Sequence, residues 1–426
     1  MLVYPKNIIF DYKTYKLYNQ FMNKIPTKKS GFNPNWQIKT FNEVCDKISA
    51  GGDKPDDCTT EKTEENQIPI FSNGIKNKGL CGYTKTPTIT KPALTISARG
   101  TIGFACVRYE PFFPIVRLIC VIPNEKLVVL EFLCYALQYI IPQGEGTSVP
   151  QLTIPNFKKI EIPIPPLDEQ KCIASALSKI DAYLENTIKL IEEKERFKRV
   201  IAKKLLTCKE GENIPEARFK GFEDEWKEYN LSKIGVSYNG LRNKKANSFV
   251  ENCNAKYITY KSVYDKNKID INRLGNVFIG KNENQNLVKY GDIFFTISSE
   301  TPDEVAISSV LLDEVENTYL NSFCFGFRFD FNILLPEFAR YYFRSDYIRK
   351  STYRLAQGIT RYNISKKKFL DIIIYLPSLE EQEKIGGYLS LLDEVIDNLK
   401  KQKELIEEMK RGAMQKLLSG EVRLLE

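Results

Sequence analysis

Polar and apolar positions along the chain fall into two regimes. Over residues 165–207, apolar side chains recur by threes and fours at Ile173, Leu177, Ile180, Leu184, Ile188 and Ile191. Over 377–419 the same spacing appears at Ile385, Leu389, Leu392, Ile396 and Leu399, and resumes at Ile406, Met409, Ala413 and Leu417. Residues three and four apart share a helix face, so each stretch predicts one long amphipathic helix. Pro165 and Pro166 set an extended entry to the first, Ser378 with Glu381 forms a capping-box pattern at the second, and Gly211 and Gly420 are stop signals. Elsewhere, short β-branched and aromatic runs are broken by Gly, Pro and Asn, which predicts mixed α/β units rich in loops. Thus "LTISARGTIG" from Leu94 and "FTISSETPDE" from Phe295 each read as an apolar alternating strand followed by a polar loop.

The two helical stretches are one stretch written twice. At a constant offset of 212 residues, Pro165, Leu167, Glu169, Gln170, Ile173, Leu177, Asp181, Lys198, Arg199, Leu205 and Leu206 recur as Pro377, Leu379, Glu381, Gln382, Ile385, Leu389, Asp393, Lys410, Arg411, Leu417 and Leu418. The identities number about seventeen, at a period too long for a solenoid, so the repeat is an internal duplication. About forty helical residues at ~1.5 Å each make a rod of about 60 Å. A globular core cannot cover such a rod, and the expected solution is two rods packed on each other as an antiparallel pair related by a pseudo-twofold axis. The duplication also frames what lies between. "GTSVPQLTIPNFKKIEI" from Gly146 matches "GITRYNISKKKFLDIII" from Gly358, and "IPTKKSGFNPNW" from Ile25 matches "IPEARFKGFEDEW" from Ile214. The only two tryptophans, Trp36 and Trp226, occupy equivalent places and are expected as core anchors. Between these frames the inserts resemble each other only in patches, and their lengths differ by about 22 residues.

Charge changes the picture by its distribution. The formal net charge is +8, and residues 1–160 and 213–371 hold about +7 and about +4 of it, with 161–212 about neutral and 372–426 about −3. Excess positive charge in the inserts suits a polyanion such as nucleic acid. Other chemistries drop out. The chain has no histidine, so histidine-based catalysis and His-containing metal sites are excluded. Its ten cysteines form no CxxC pair, which suits scattered thiols in a reducing compartment. There is no GxxxxGK[ST] phosphate loop, no dinucleotide fingerprint and no NPPF or DPPY methyltransferase motif. No leader is expected at the start of the chain, and the apolar window "LVVLEFLCYALQYII" from Leu127 is too short for a membrane span. A soluble, cytoplasmic protein is the expectation.

The order GF-x-x-x-W, variable globular segment, I-x-I-P-x-P-L-x-E-Q and long helix, present twice, resembles the specificity subunit of type I restriction-modification enzymes. The likeness spans about Ile25 to Leu425. It implies an α+β architecture, with two mixed globular recognition domains joined by two long antiparallel coiled-coil helices. The parts would be an N-terminal extension (1–24), a first target recognition domain (25–161), a first helical spacer region (162–212), a second recognition domain (213–371) and a second helical region (372–426). The resemblance implies a non-catalytic subunit in which each domain contacts one half of a bipartite double-stranded DNA target and the helices set the spacing. It also implies partners: two DNA adenine methyltransferase subunits, and the translocating endonuclease (restriction) subunits. S-adenosylmethionine, ATP and Mg would belong to those partners, with no cofactor bound by this chain and no membrane association. The competing reading is a coiled-coil interaction scaffold whose globular domains bind peptides. Three departures stand out. The second copy reads "YLPSLEEQ", Gln402 and Lys403 interrupt the apolar seam so that it opens or covers a partner there, and residues 1–24 have no counterpart.

Candidate DNA-binding residues are polar and basic groups on loops beside strands, where lysines suit phosphates and Arg, Asn or Gln suit base edges. In the first domain these are Asn73, Lys76 and Lys78 in "SNGIKNKG", then Ser97, Arg99 and Thr101, then Gln143, Thr147, Ser148 and Gln151. In the second they are Tyr260, Lys261 and Ser262, then Ser298, Ser299 and Thr301, then Gln357, Thr360, Arg361, Tyr362 and Asn363. "GTSVPQ" and "GITRYN" sit at equivalent framework positions, so backbone phosphate or the methyltransferase is an equally open assignment for those loops.

Overall fold

The computed structural model describes residue 33 and residues 35–140, 152–209, 211–250 and 253–424, so the expected extension over 1–24 lies outside the described residues. The chain divides into two compact units. One takes Met1–Ile188 with Lys401–Glu426, the other Lys189–Lys400. The division falls within the two long helices, Leu167–Leu206 and Leu379–Leu418, so each helix gives one half to each unit. In the first unit the helix halves run antiparallel, with Asp181 paired to Lys410 at 2.6 Å and Glu169 to Arg423. In the second, Glu195 meets Lys400 at 2.6 Å and Lys198 meets Asp393, again antiparallel.

Both units are mixed α/β, and their sheets share a plan. The first holds a four-stranded antiparallel sheet in the order Cys45–Ala50, Ile119–Pro123, Ala93–Ile96, Ala105–Arg108. Beside it in sequence is a three-stranded sheet of Leu80–Thr84, Ile68–Phe71 and Phe113–Pro114, the last pair parallel. The second unit repeats this with Gly235–Asn239, Cys324–Phe329, Ile293–Thr296, Ser308–Val310, and with Gly275–Val277, Ala255–Ile258, Thr318–Leu320. The strands expected to alternate do not. Ala93–Ile96 and Ile293–Thr296 are buried at every position, because each is an inner strand covered on both faces.

Each core joins sheet to helices. Leu94, Ile96 and Val121 pack with Phe132, Leu137, Ile173, Leu177, Ala413 and Leu417 in the first unit. Phe295, Phe325 and Phe327 pack with Phe338, Tyr342, Leu205, Ile385 and Leu389 in the second. Trp36 and Trp226 are buried in these cores, as expected of anchors.

The recurrent Glu-Gln pair is a lock. Gln170, fully buried, donates from Nε2 to the Leu127 and Pro165 carbonyls (3.1 and 2.9 Å) and accepts from the Val129 N–H at 2.8 Å. Gln382 does the same with Ile333, Pro377 and Leu335, at 2.8, 3.0 and 2.8 Å. Glu169 and Glu381 are also buried, and each receives an arginine that lies beyond a helix end, Arg423 and Arg218 respectively. The capping box is therefore half formed. Ser378 Oγ accepts from the Glu381 N–H at 3.3 Å, but the Glu381 carboxylate turns to Arg218 instead of back to residue 378. Where the seam is expected to open or to cover a partner, Gln402 donates to the Tyr183 hydroxyl and Lys403 pairs with Glu407 at 3.3 Å, both contacts lying inside the first unit.

Candidate nucleic-acid interface

In the first unit one side chain organises three loops. The Asn73 carboxamide oxygen accepts from the Ala98 N–H at 2.8 Å, while its nitrogen donates to the Val116 carbonyl at 2.6 Å. Ser97 is buried and its hydroxyl accepts from the Gly74 N–H at 3.2 Å. Segments 72–79, 97–103 and 115–118 are thereby held together. The first is pinched by a bond from the Ser72 N–H to the Gly79 carbonyl at 2.8 Å, with Asn77 and Lys78 in the left-handed region at φ 49° and 52°. Arg108 lies 3.6 Å from the centre of the Phe71 ring and donates to the Lys78 carbonyl, and burial lowers its pKa. This scaffolding leaves Lys76, Lys78 and Arg99 exposed, with Thr101 half-buried. Asn73 and Ser97, expected as contacts, each hold a neighbouring loop through a side-chain hydrogen bond, with Asn73 half-buried and Ser97 buried. Gln143, Thr147, Ser148 and Gln151 lie outside the described residues.

In the second unit the candidates assemble around a short ribbon. Ser298–Ser299 pairs antiparallel with Tyr362–Asn363, and Gln357 and Asn363 exchange backbone bonds of 2.9 and 2.8 Å. The hairpin between them turns at Gly358 (φ +144°), where a Cβ would overlap the Arg361 carbonyl, and presents Ile359, Thr360 and Arg361 to solvent. Tyr260 donates to the Ser298 carbonyl at 3.0 Å and stacks on Tyr264 with ring centres 6.1 Å apart. Glu304 gathers Tyr264, Ser299 and Thr301. Those hydrogen bonds, led by Tyr264, lower its pKa, and the bond to Glu304 is the chief cause that pushes the Tyr264 hydroxyl up to about 12. Lys261 is exposed on the first turn of the helix Tyr260–Asp265, whereas Ser262 is used locally, its N–H donating to Thr259 Oγ1 at 3.1 Å. Tyr260, Ser298, Ser299, Thr301, Gln357, Tyr362 and Asn363 are thus brought together around the exposed Thr360 and Arg361.

Two arginines do work that the sequence does not announce. Arg344 donates to the carbonyls of Ser308, Val263, Tyr264 and Lys266, and burial lowers its pKa to about 10. Arg349 donates to those of Ala306, Val305 and Asp303. They fix the segments bearing Tyr264 and Glu304, yet locally they read as ordinary surface cations. A cleft of about 850 Å³ in the same unit, lined by Lys198, Arg199, Lys203, Lys266 and Lys268 but also by Asp265, Asp270, Asp313, Asp393 and Asp397, holds none of the sequence candidates. No helix among the described residues is long and apolar enough to cross a membrane.

What such loops can do is bind a polyanion and read polar edges. No described group of three or more Cys, Asp or Glu is arranged to hold a metal. Against known proteins, the family model described as the type I restriction modification DNA specificity domain matches residues 33–193 and 223–408. The chain is 36% identical over 153 residues to a putative type I specificity subunit of Mycoplasma pneumoniae, covering 35% of this chain and 45% of that protein. It spans about half the length of that relative and of a second one from the same organism. It is 30% identical over 320 residues to a type I restriction enzyme specificity subunit of Methanocaldococcus jannaschii, covering 71% and 72%. In fold it resembles a solved S subunit of a type I restriction-modification system from M. genitalium, with a TM-score of 0.57 at 19% identity over 93% of this chain and 98% of that one.

Proposed function

The chain belongs to the type I restriction-modification DNA specificity family, and from that premise we propose that it is the sequence-reading subunit of such an enzyme, each unit binding one half of a bipartite, asymmetric duplex target. The observation that carries this reading is the pair of loop clusters: in each unit internal hydrogen bonds hold together loops that bear exposed cationic residues. Lysines such as Lys76, Lys78 and Lys261 supply affinity through phosphates without reading sequence, while Arg99 and Arg361 are of the residue type that pairs bidentately with guanine. The two long helices act as the spacer between half-sites, an antiparallel coiled coil built from the internal repeat. Two DNA adenine methyltransferase subunits dock on this frame and supply S-adenosylmethionine chemistry, which requires a base taken out of the duplex into their own pocket. The restriction subunits add ATP- and Mg-dependent translocation and cleavage, so this chain alone neither methylates nor cuts.

Mapping methylated positions in cells with and without the gene tests the proposal. A gapped two-part adenine motif is expected, and exchanging residues 213–371 for another recognition domain should change one half only. Absence of any gene-dependent motif, or salt-insensitive peptide binding in place of duplex binding, would sink it in favour of the scaffold reading.

A further inference from the structure

The shared sheet plan places one turn at an equivalent point in each unit. The parallel-paired strand of the three-stranded sheet leads directly into the second strand of the four-stranded sheet: Phe113–Pro114 into Ile119–Pro123, and Thr318–Leu320 into Cys324–Phe329. Both turns expose a large apolar side chain. Val116 is 46% exposed and Phe323 is 57% exposed. Neither lies in the repeated helical frame, and neither reads as a site in the sequence.

Both turns are rigidly held. Val116 and Arg117 are consecutive left-handed residues at φ 55° and 58°, a strained conformation for a β-branched side chain. The Val116 N–H donates to the Gly52 carbonyl at 2.8 Å, the Arg117 N–H to Gly51 at 2.9 Å, and Asn73 donates to the Val116 carbonyl. In the other unit the Phe323 N–H donates to Asn321 Oδ1 at 2.8 Å, and its carbonyl accepts from the Ile297 N–H at 2.9 Å. Asn321 is buried and also donates to the Ile258 carbonyl at 3.2 Å.

Core packing does not account for a valine at position 116, since its side chain faces solvent and Asn or Gly would hold the turn with less strain. Its surroundings do. Through Asn73, Val116 is tied to the loops bearing Lys76, Lys78 and Arg99. Through Ile297, Phe323 is tied to Ser298, whose strand pairs with the Arg361 hairpin. An apolar tip amid polar, cationic loops suits a duplex whose phosphates meet the cations while a thymine methyl group or a base face meets the tip.

We propose that Val116 and Phe323 are the apolar base-reading residues of the two units, specificity determinants in contact with DNA bases. This rests on the DNA-reading function proposed above. Full-length chains carrying Val116→Asn or Phe323→Ser, with the wild type, are used to select duplexes from a randomised library at several salt concentrations, and their thermal melting is followed. Asn tolerates the left-handed turn, so Val116→Asn should melt at or above the wild-type temperature, and Phe323→Ser should melt unchanged because the ring is exposed. Each variant should lose preference at the contacted position of one half-site by on the order of tenfold, with the other half-site and the salt slope intact. Selection of the unaltered wild-type motif by both variants would overturn this inference alone. A wild-type chain that enriches no duplex motif would overturn the DNA-reading function and this inference together.

Discussion

Replacing Gln382 with Leu tests whether the Glu-Gln pair is a lock. The side chain is fully buried and makes three hydrogen bonds, two to the Ile333 and Pro377 carbonyls and one from the Leu335 N–H. Leucine is similar in size, so little cavity forms and lost hydrogen bonding dominates. An orphaned buried N–H costs about 1–3 kcal/mol. The carbonyls cost less, since an under-satisfied C=O is better tolerated, and extra apolar burial offsets about 1 kcal/mol. The net loss is about 2–5 kcal/mol, a large part of the roughly 5–15 kcal/mol that holds a domain together. For units of this size that is on the order of a 5–15 °C fall in melting temperature. The assay is calorimetry of the full chain with hydrogen exchange at the Leu335 amide, which should lose protection. Gln170→Leu should give a comparable loss with Val129 as the exposed reporter, because its three bonds are the same. Unchanged melting with Leu335 still protected would refute the reasoning.

Arg218→Met leaves the Glu381 carboxylate, 1% exposed, without its partner, and should destabilise by about 3–5 kcal/mol in urea unfolding, with Glu381→Gln added to the same chain recovering much of the loss. Lys76→Gln with Lys78→Gln should weaken duplex binding uniformly across sequences and reduce the slope of log affinity against log salt by up to about two; a change in base preference would contradict a phosphate role. The Tyr264 hydroxyl has its pKa raised from the ordinary value near 10 to about 12, chiefly by its hydrogen bond to Glu304. Its stabilising contribution is therefore complete below pH 10 and lost as pH rises from 10 to 12, which ultraviolet titration of tyrosinate in wild type and Tyr264→Phe will show. Asn73→Ala frees the Val116 carbonyl and the Ala98 N–H, and should raise proteolytic cleavage in segments 72–79 and 97–103 while leaving the second unit's loops as they were.

The sequence by itself determined what depends on period and repetition. The three-four spacing from Ile173 onward and from Ile385 onward marked both long helices, because a face that must be buried every turn leaves a linear trace. The 212-residue offset exposed Glu169 with Glu381 and Gln170 with Gln382 as a matched pair, though not their task. That task needed partners distant along the chain: Arg423 for Glu169, Arg218 for Glu381, and backbone groups near residues 127 and 333 for the glutamines. For the proposed interface, composition marked polar loops beside strands but not which of their atoms are held by hydrogen bonds to the rest of the unit. Asn73 and Ser97, candidates in the sequence, turn out also to hold together loops distant along the chain, whereas Val116 and Phe323, which the sequence does not single out, are left exposed on tight turns pinned by Asn73 and Asn321. Local pattern determines which elements form; the tertiary hydrogen bonds that satisfy buried polar groups decide which side chains remain free to meet a partner.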